Sequence, residues 1–262
     1  MSGSDRWARA IDSALADLQA LRMHDATREL SWIAAGAPWY LALFGRDALL
    51  TAYEALITGP EPAVDVLDAL ARFQGVDDDP RTGEAPGKIL HELRTGHSGV
   101  FGLAPWTPYY GSVDATPLFV VVLAAAYRWG AAVDRVRSLL PAARRAVSWC
   151  RATAADDRHG GLTCRSDTGL RNQGWKDHAE AMVHADATLA RGPIAVIEAQ
   201  AYHWRALTDL AVLETATDAG WRSRRPTPAT CCGPASSTGP TPTSSPTACW
   251  QPICTQAGVS AP

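Results

Sequence analysis

Apolar residues in the first 221 positions recur at steps of three or four, which is the spacing of one face of an α-helix. Six segments show this pattern or a wholly apolar variant of it, and Gly, Pro or polar residues bound them. The predicted helices are Asp5–Met23, Arg46–Ile57, Pro62–Gln74, Thr116–Trp129, Val133–Ala152 and Pro193–Leu213. No segment sustains the alternation of apolar and polar residues that a strand requires, so the sequence predicts an all-α protein.

Long polar loops at 31–45, 75–113 and 155–192 separate pairs of predicted helices and contain most of the histidines and glycines. Loops of that length in a compact domain usually carry function. Helical hairpins whose functional loops gather at one end predict an α/α toroid or solenoid.

The composition changes abruptly after Trp221. Residues 222–262 contain no Asp or Glu, are rich in Pro, Ser and Thr, and hold four of the six cysteines. Such a segment lacks the branched apolar residues that offset the entropy of ordering, so we expect a disordered tail after a domain at 1–221. Two explanations stay open: a natural Ser/Thr/Pro linker, or a GC-rich gene read out of frame.

Charge and hydropathy exclude several classes of protein. The formal net charge of −3 argues against a nucleic-acid partner. The longest apolar run, Leu118–Tyr127, is too short for a bilayer, which takes about 20 residues, so no membrane partner is expected. The polar first residues do not resemble a secretory signal, and we expect a cytoplasmic protein whose oligomeric state the sequence leaves open.

Two acidic groups near helix starts each allow two interpretations. Arg46 and Asp47 begin a helix, where Asp47 would complement the helix dipole. The aromatic residues just before them favour a sugar site instead, because a sugar ring stacks on aromatic faces and needs polar groups at its rim. Asp114 is either the N-cap of the helix from Thr116 or a second member of such a site.

Further candidates lie in the second half of the chain. Asp177 follows Trp175 and Lys176, and lysine occurs elsewhere only at Lys88. Glu198 falls in an apolar helical segment, where a buried carboxylate is uncommon unless it is paired or functional. The histidines and cysteines lack metal-ligand spacing, and no nucleotide-binding motif occurs, so we expect no metal and no cofactor. Cys150 and Cys164 are expected to be plain core or loop thiols.

Six motifs in this order resemble the bacterial amylo-α-1,6-glucosidases, which are glycogen-debranching-like proteins of the mannosylglycerate-hydrolase-like and glucoamylase-like clan. They are PWYLALFGRDALL, LARFQG, APGKILHELR, YYGSVDATPLF, NQGWKD and PIAVIEAQAY, spread over residues 38–202. The resemblance implies an (α/α)6 toroid that hydrolyses the α-glucosidic bonds of an oligosaccharide or α-glucan. By the same likeness, Asp177 is the general acid that protonates the leaving glycosidic oxygen.

The resemblance also assigns binding residues. Arg46 and Asp47 would hold hydroxyls of the sugar before the scissile bond, and Trp39 and Asp114 would line the same subsite. The residues implied around this subsite are Lys88, His91, Glu92, Tyr110, Trp175, Lys176, Glu198 and Gln200.

One element of the implied mechanism is missing. Inverting glycosidases use two carboxyl groups about 6.5–9.5 Å apart, one as acid and one as base. In this clan the base is a Glu near the end of the toroid, and the tail has no acidic residue. We therefore expect an incomplete toroid, inactive alone, with unpartnered apolar stripes on Leu118–Tyr127 and Ile194–Leu213. The alternative is a non-catalytic α/α scaffold that binds a glycan or a protein.

Overall fold

A computed structural model describes residues 3–94, 108–157, 160–164, 170–178 and 180–218. These residues are mostly helical, which agrees with the predicted helical class. The described helices are α1 (Gly3–Ala20), α2 (Gly45–Glu54), α3 (Glu61–Arg72), α4 (Ala115–Arg128), α5 (Val133–Asp156) and α6 (Ile197–Asp218), with a 3-10 turn at Ala55–Thr58. All six predicted helices are therefore present, within a few residues of the expected bounds. The predicted tail, 222–262, lies outside the described residues.

Short strands are the feature that the sequence did not predict. The first antiparallel pair is β1 (Arg22–Asp25) with β2 (Leu30–Ile33), and Arg22 lies opposite Ile33. The second pair is β3 (Leu43–Phe44) with β4 (Glu92–Leu93), and the third is β5 (Thr163–Cys164) with β6 (Ile194–Ala195). Strands of two to four residues are too short to show an alternating pattern. Two of the pairs nevertheless connect segments far apart in the chain.

Helix α4 is the centre of the main hydrophobic core. It packs against α2, α3, α5 and α6, and Phe119, Val120 and Leu123 are fully buried. The prediction of an unpartnered stripe on Leu118–Tyr127 was therefore wrong, because the neighbouring helices cover this apolar helix on several sides.

Helix α6 does expose part of its apolar surface, as the sequence predicted for Ile194–Leu213. Ile197, Trp204 and Val212 are exposed, whereas Leu210 and Leu213 pack into the core. The predicted stripe of α1 is also exposed at Trp7 and Ile11. None of the described helices is both long enough and apolar enough to cross a membrane.

A smaller apolar cluster lies apart from the main core. It contains residues of α5, of β5 and of the start of α6, namely Val113, Trp149, Cys150, Ala154, Leu162, Cys164, Val196 and Ala199. Cys150 and Cys164 are free, buried thiols, as predicted. The four cysteines of the tail lie outside the described part of the chain.

Candidate functional site

Arg46 joins two carboxylates that are distant in sequence. Its Nη1 lies 3.3 and 3.2 Å from the Asp114 oxygens, and its Nη2 donates to Asp177 Oδ2 at 3.2 Å. Arg46 is 7% exposed and Asp114 only 1%, whereas the side chain of Asp177 is 46% exposed. A buried guanidinium needs such partners, because an uncompensated buried charge costs several kcal/mol. Arg46, Asp114 and Asp177, to which the resemblance assigns sugar binding or catalysis, therefore converge.

The close approach of two chain segments places Arg46. A Cβ atom on Gly45 would lie 2.1 Å from the carbonyl oxygen of Leu90, so only glycine fits there. The Gly45 amide donates to the carbonyl oxygen of His91 at 2.9 Å, beside the β3–β4 pair. This contact brings the segment 88–92 alongside the first turn of α2.

Asp114 occupies the N-cap position of α4, but its side chain does not cap the helix. Ser112 performs that role, since its Oγ accepts a hydrogen bond from the Ala115 amide at 3.2 Å. The same hydroxyl donates to Asp114 Oδ1 at 2.6 Å. The N-cap interpretation is therefore wrong for the carboxylate, which faces Arg46.

His91 is a neutral, buried imidazole in this site. Burial, together with the charge of Arg46, lowers its pKa to about 4, although Asp177 opposes the shift. Its ring makes edge-on contacts with Phe44 at 5.9 Å and Tyr109 at 5.5 Å between centroids. At neutral pH the ring therefore offers one hydrogen-bond donor and one acceptor.

Lys88 is a buried ammonium beneath the site. Its Nζ donates to the Gly83 carbonyl at 2.9 Å and lies 5.5 Å from the centre of the Trp149 ring. Burial lowers its pKa to about 8. Its positive charge contributes to the lowered pKa of His91. Lys88 therefore acts on the site electrostatically.

The Asp177 loop is anchored at both of its ends. Asn172 donates from Nδ2 to the His178 carbonyl at 2.5 Å, and the Val113 amide donates to the Gln173 carbonyl at 2.9 Å. The second bond attaches the loop to the residue before Asp114. These two hydrogen bonds hold the loop in place without involving Arg46.

Several predicted residues have other roles. Tyr110 is buried and donates to the Phe73 carbonyl at 2.8 Å, so Tyr109 rather than Tyr110 contacts His91. Gln200 bonds the backbone of Leu162 through both ends of its amide. Both side chains therefore support the fold.

Glu198 was predicted to be buried, and that prediction was wrong. It lies half-exposed in the first turn of α6, where Oε1 accepts a hydrogen bond from Trp175 Nε1 at 2.7 Å. Lys176 lies on the Trp175 ring, with Nζ 5.7 Å from its centre.

Three further predicted residues lie outside the ion pairs that Arg46 makes with Asp114 and Asp177. Trp39 is 76% exposed, and its carbonyl accepts from Arg94 Nη1 at 2.8 Å. Glu92 is half-buried and pairs with Arg94, and burial raises the pKa of Glu92. Asp47 is half-buried in the first turn of α2, one residue after Arg46.

Four residues of the site were missed. Ser112 and Asn172 orient the carboxylates, and Tyr109 and Arg94 contact His91 and the Trp39 loop. Ser112 had a usable signal, since Ser is a preferred cap just before a helix. Arg94, Tyr109 and Asn172 lie inside three of the quoted motifs, but the resemblance assigned no role to them.

A cavity of about 270 Å³ lies in the described part of the chain, and its lining does not include Arg46. It lies between the end of α1 and the start of α3, and its lining includes Leu18, Arg22, Trp32 and Asp65. In the described parts of the chain, no three His, Cys, Asp or Glu residues are grouped as metal ligands.

A comparison with protein-family models finds no match for this sequence. A search of curated proteins likewise finds no significant similarity. The resemblance to glycosidases therefore rests on the sequence motifs alone.

Proposed function

We propose that this chain is a glycoside hydrolase-like domain that binds α-glucosidic sugars at the Arg46 site. The observation that carries the proposal is the contact of one buried guanidinium, in the first turn of α2, with Asp114 at the start of α4 and Asp177 in a later loop. A guanidinium and carboxylates beside aromatic rings match the rim hydroxyls and apolar faces of a sugar.

In this proposal the helices form part of an (α/α)6 toroid. The order of the helices supports it, and so does the meeting of Arg46, Asp114 and Asp177 in one place. A cytoplasmic location is also part of the proposal. It is supported by two free thiols in one buried cluster, which suit a reducing compartment.

The proposed binding step separates Asp177 from Arg46. A sugar hydroxyl between them accepts from the guanidinium and donates to the carboxylate, while Asp114 keeps Arg46 in place. To act as a general acid, Asp177 leaves Arg46, takes up one proton from water and transfers it to the glycosidic oxygen as the glycosidic bond breaks. Asp177 is the proposed donor because it is the accessible member of the pair.

Hydrolysis by inversion also needs a base that activates water on the opposite side of the sugar. Asp114 does not suit this role, since Arg46 and Ser112 occupy its oxygens and it is almost fully buried. We therefore propose that this chain binds α-glucosides and, by itself, does not hydrolyse them.

The test is calorimetric titration of the purified chain with maltose and isomaltose, with the β-linked cellobiose as control. We expect both α-linked sugars to bind and cellobiose to bind at least tenfold more weakly. Asp177→Asn should alter the affinity for maltose, whereas Asp186→Asn, an exposed aspartate that bonds Thr188, should not. Failure of both α-linked sugars to bind contradicts the proposal.

A second candidate function is a non-catalytic α/α scaffold that binds a protein. The observation that favours it is the exposed apolar face of α6 at Ile197, Trp204 and Val212. The titration separates the two, because a protein-binding scaffold has no reason to discriminate maltose from cellobiose.

A further inference from the structure

The loop that carries Asp177 also carries an exposed tryptophan held on two sides. Trp175 is 56% exposed, its Nε1 donates to Glu198 Oε1 at 2.7 Å, and Lys176 Nζ lies 5.7 Å from its ring centre. An exposed indole without such partners samples several rotamers, and ordering it on binding costs free energy. These contacts fix the ring before any ligand arrives.

The backbone on both sides of this tryptophan is also fixed. A Cβ atom on Gly174 would lie 3.2 Å from Val196 Cγ2, so the loop packs closely on the residue before α6. The Val113 amide holds the Gln173 carbonyl. The ring is therefore anchored to two helix starts, and its position relative to Asp177 follows from the fold.

Of these four residues, Asp114 is the least exposed to solvent, followed by Arg46, then Asp177, and Trp175 is the most exposed. A terminal sugar held by Arg46 occupies the buried end of this series. A general acid protonates the oxygen between two sugars, so the sugar beyond that oxygen lies on the exposed side of Asp177, where Trp175 is.

We propose that Glu198 is a positioning residue that holds Trp175 as a stacking surface for the leaving-group sugar. Lys176 supports the ring from its face, and Tyr202, one turn after Glu198 on α6, also interacts electrostatically with this carboxylate. The inference rests on the proposed function, because it assigns the second sugar of the same site.

The carboxylate form of Glu198 is well suited to this role. Its own backbone amide, the Trp175 indole and the charge of Lys176 lower its pKa. At neutral pH it is therefore an acceptor only, which fixes the direction of the indole hydrogen bond. A neutral amide at this position keeps an acceptor oxygen. Glu198→Gln should therefore retain most of the positioning of Trp175, whereas Glu198→Ala should lose it.

The first measurement needs no sugar. In a ¹⁵N spectrum of the full chain, the indole N–H of Trp175 is assigned by its loss in Trp175→Phe. We expect this resonance to shift and to exchange faster with solvent in Glu198→Ala, and to stay near its original position in Glu198→Gln. Glu180→Ala, which removes an exposed carboxylate from the same segment, is the matched control and should leave it unchanged.

The second measurement is titration of the same variants with glucose and maltose. Loss of a fixed stacking surface should weaken maltose binding about fivefold in Glu198→Ala. Glucose affinity should change less than twofold, and Glu198→Gln should restore maltose binding. Equal melting temperatures of the variants show that the fold is intact.

Three outcomes overturn the proposal. An unchanged Trp175 resonance in Glu198→Ala removes the positioning role, and equal maltose affinity in wild type and Glu198→Ala removes the stacking role alone. Absence of maltose binding to the wild type rejects the proposed function as well, so the two failures are distinguishable.

Discussion

Removal of the Asp114 carboxylate should destabilise the protein more than any other single change at the site. The group is almost fully buried, accepts from Arg46 at 3.2 and 3.3 Å, and accepts from Ser112 at 2.6 Å. In Asp114→Ala the guanidinium keeps the half-exposed Asp177 as its remaining carboxylate partner in the described structure. Loss of one partner of a buried ion pair costs about 3–5 kcal/mol.

The lost hydrogen bonds give a similar magnitude. Charge-assisted bonds contribute about 1.5–3 kcal/mol each, and the variant loses those to Arg46 and Ser112. Urea unfolding followed by circular dichroism measures the change in unfolding free energy. Asp47→Asn is the control: it changes the neighbouring half-buried carboxylate and should cost less than about 1 kcal/mol.

A double-mutant cycle isolates the Arg46–Asp114 interaction. Arg46→Met removes the positive charge, so Asp114→Ala should cost at least about 2 kcal/mol less in that background than in the wild type. A cost below about 1 kcal/mol for Asp114→Ala alone, or additive effects in the cycle, would refute the buried ion pair as the basis of the site.

Three further predictions concern the segment packing, the titration of the site and its activity. Gly45→Ala places a Cβ atom against the Leu90 carbonyl and should lower the unfolding free energy by more than about 2 kcal/mol. Gly36→Ala, with open space around it, should have little effect. Equal effects of the two substitutions would contradict the close packing at Gly45. The folded-state pKa of His91 is about 4 and the ordinary value is 6.5, so the unfolded chain binds more protons between these values. Stability should therefore fall as pH drops through that window, by at most about 1.4 kcal/mol per pH unit. Urea unfolding at several pH values should show that the unfolding free energy depends less on pH in His91→Gln than in the wild type. The dependence should be retained in His184→Gln. Finally, the purified chain should release no glucose from maltose, isomaltose or a limit dextrin, and detectable release in a coupled glucose assay would contradict the absence of a base.

The helices could be predicted because their apolar residues repeat over three or more turns. The strands could not, since β3–β6 each contain two residues and owe their pairing to contacts made by distant loops. The wrong expectation for Leu118–Tyr127 came from assuming that an incomplete toroid leaves this helix open, whereas four neighbouring helices surround α4.

The sequence predicted the meeting of Arg46 with Asp114 and Asp177, but not the individual contacts of the residues around them. Tyr109 and Tyr110 are adjacent, and the sequence does not show that Tyr109 contacts His91 while Tyr110 bonds the Phe73 carbonyl. Adjacent residues in extended backbone point to opposite sides. Glu198 was expected to be buried from its apolar neighbours, but a residue in the first turn of a helix can lie at the surface whatever follows it.

The most direct test of the account is a crystal structure of the full chain with maltose. It should show hydroxyls of one glucosyl ring bonded to Arg46 and Asp177, the direct contact between these two residues replaced, and the second ring against Trp175. Maltose bound instead in the cavity beside Arg22 and Asp65, with the Arg46–Asp177 contact unchanged, would contradict it.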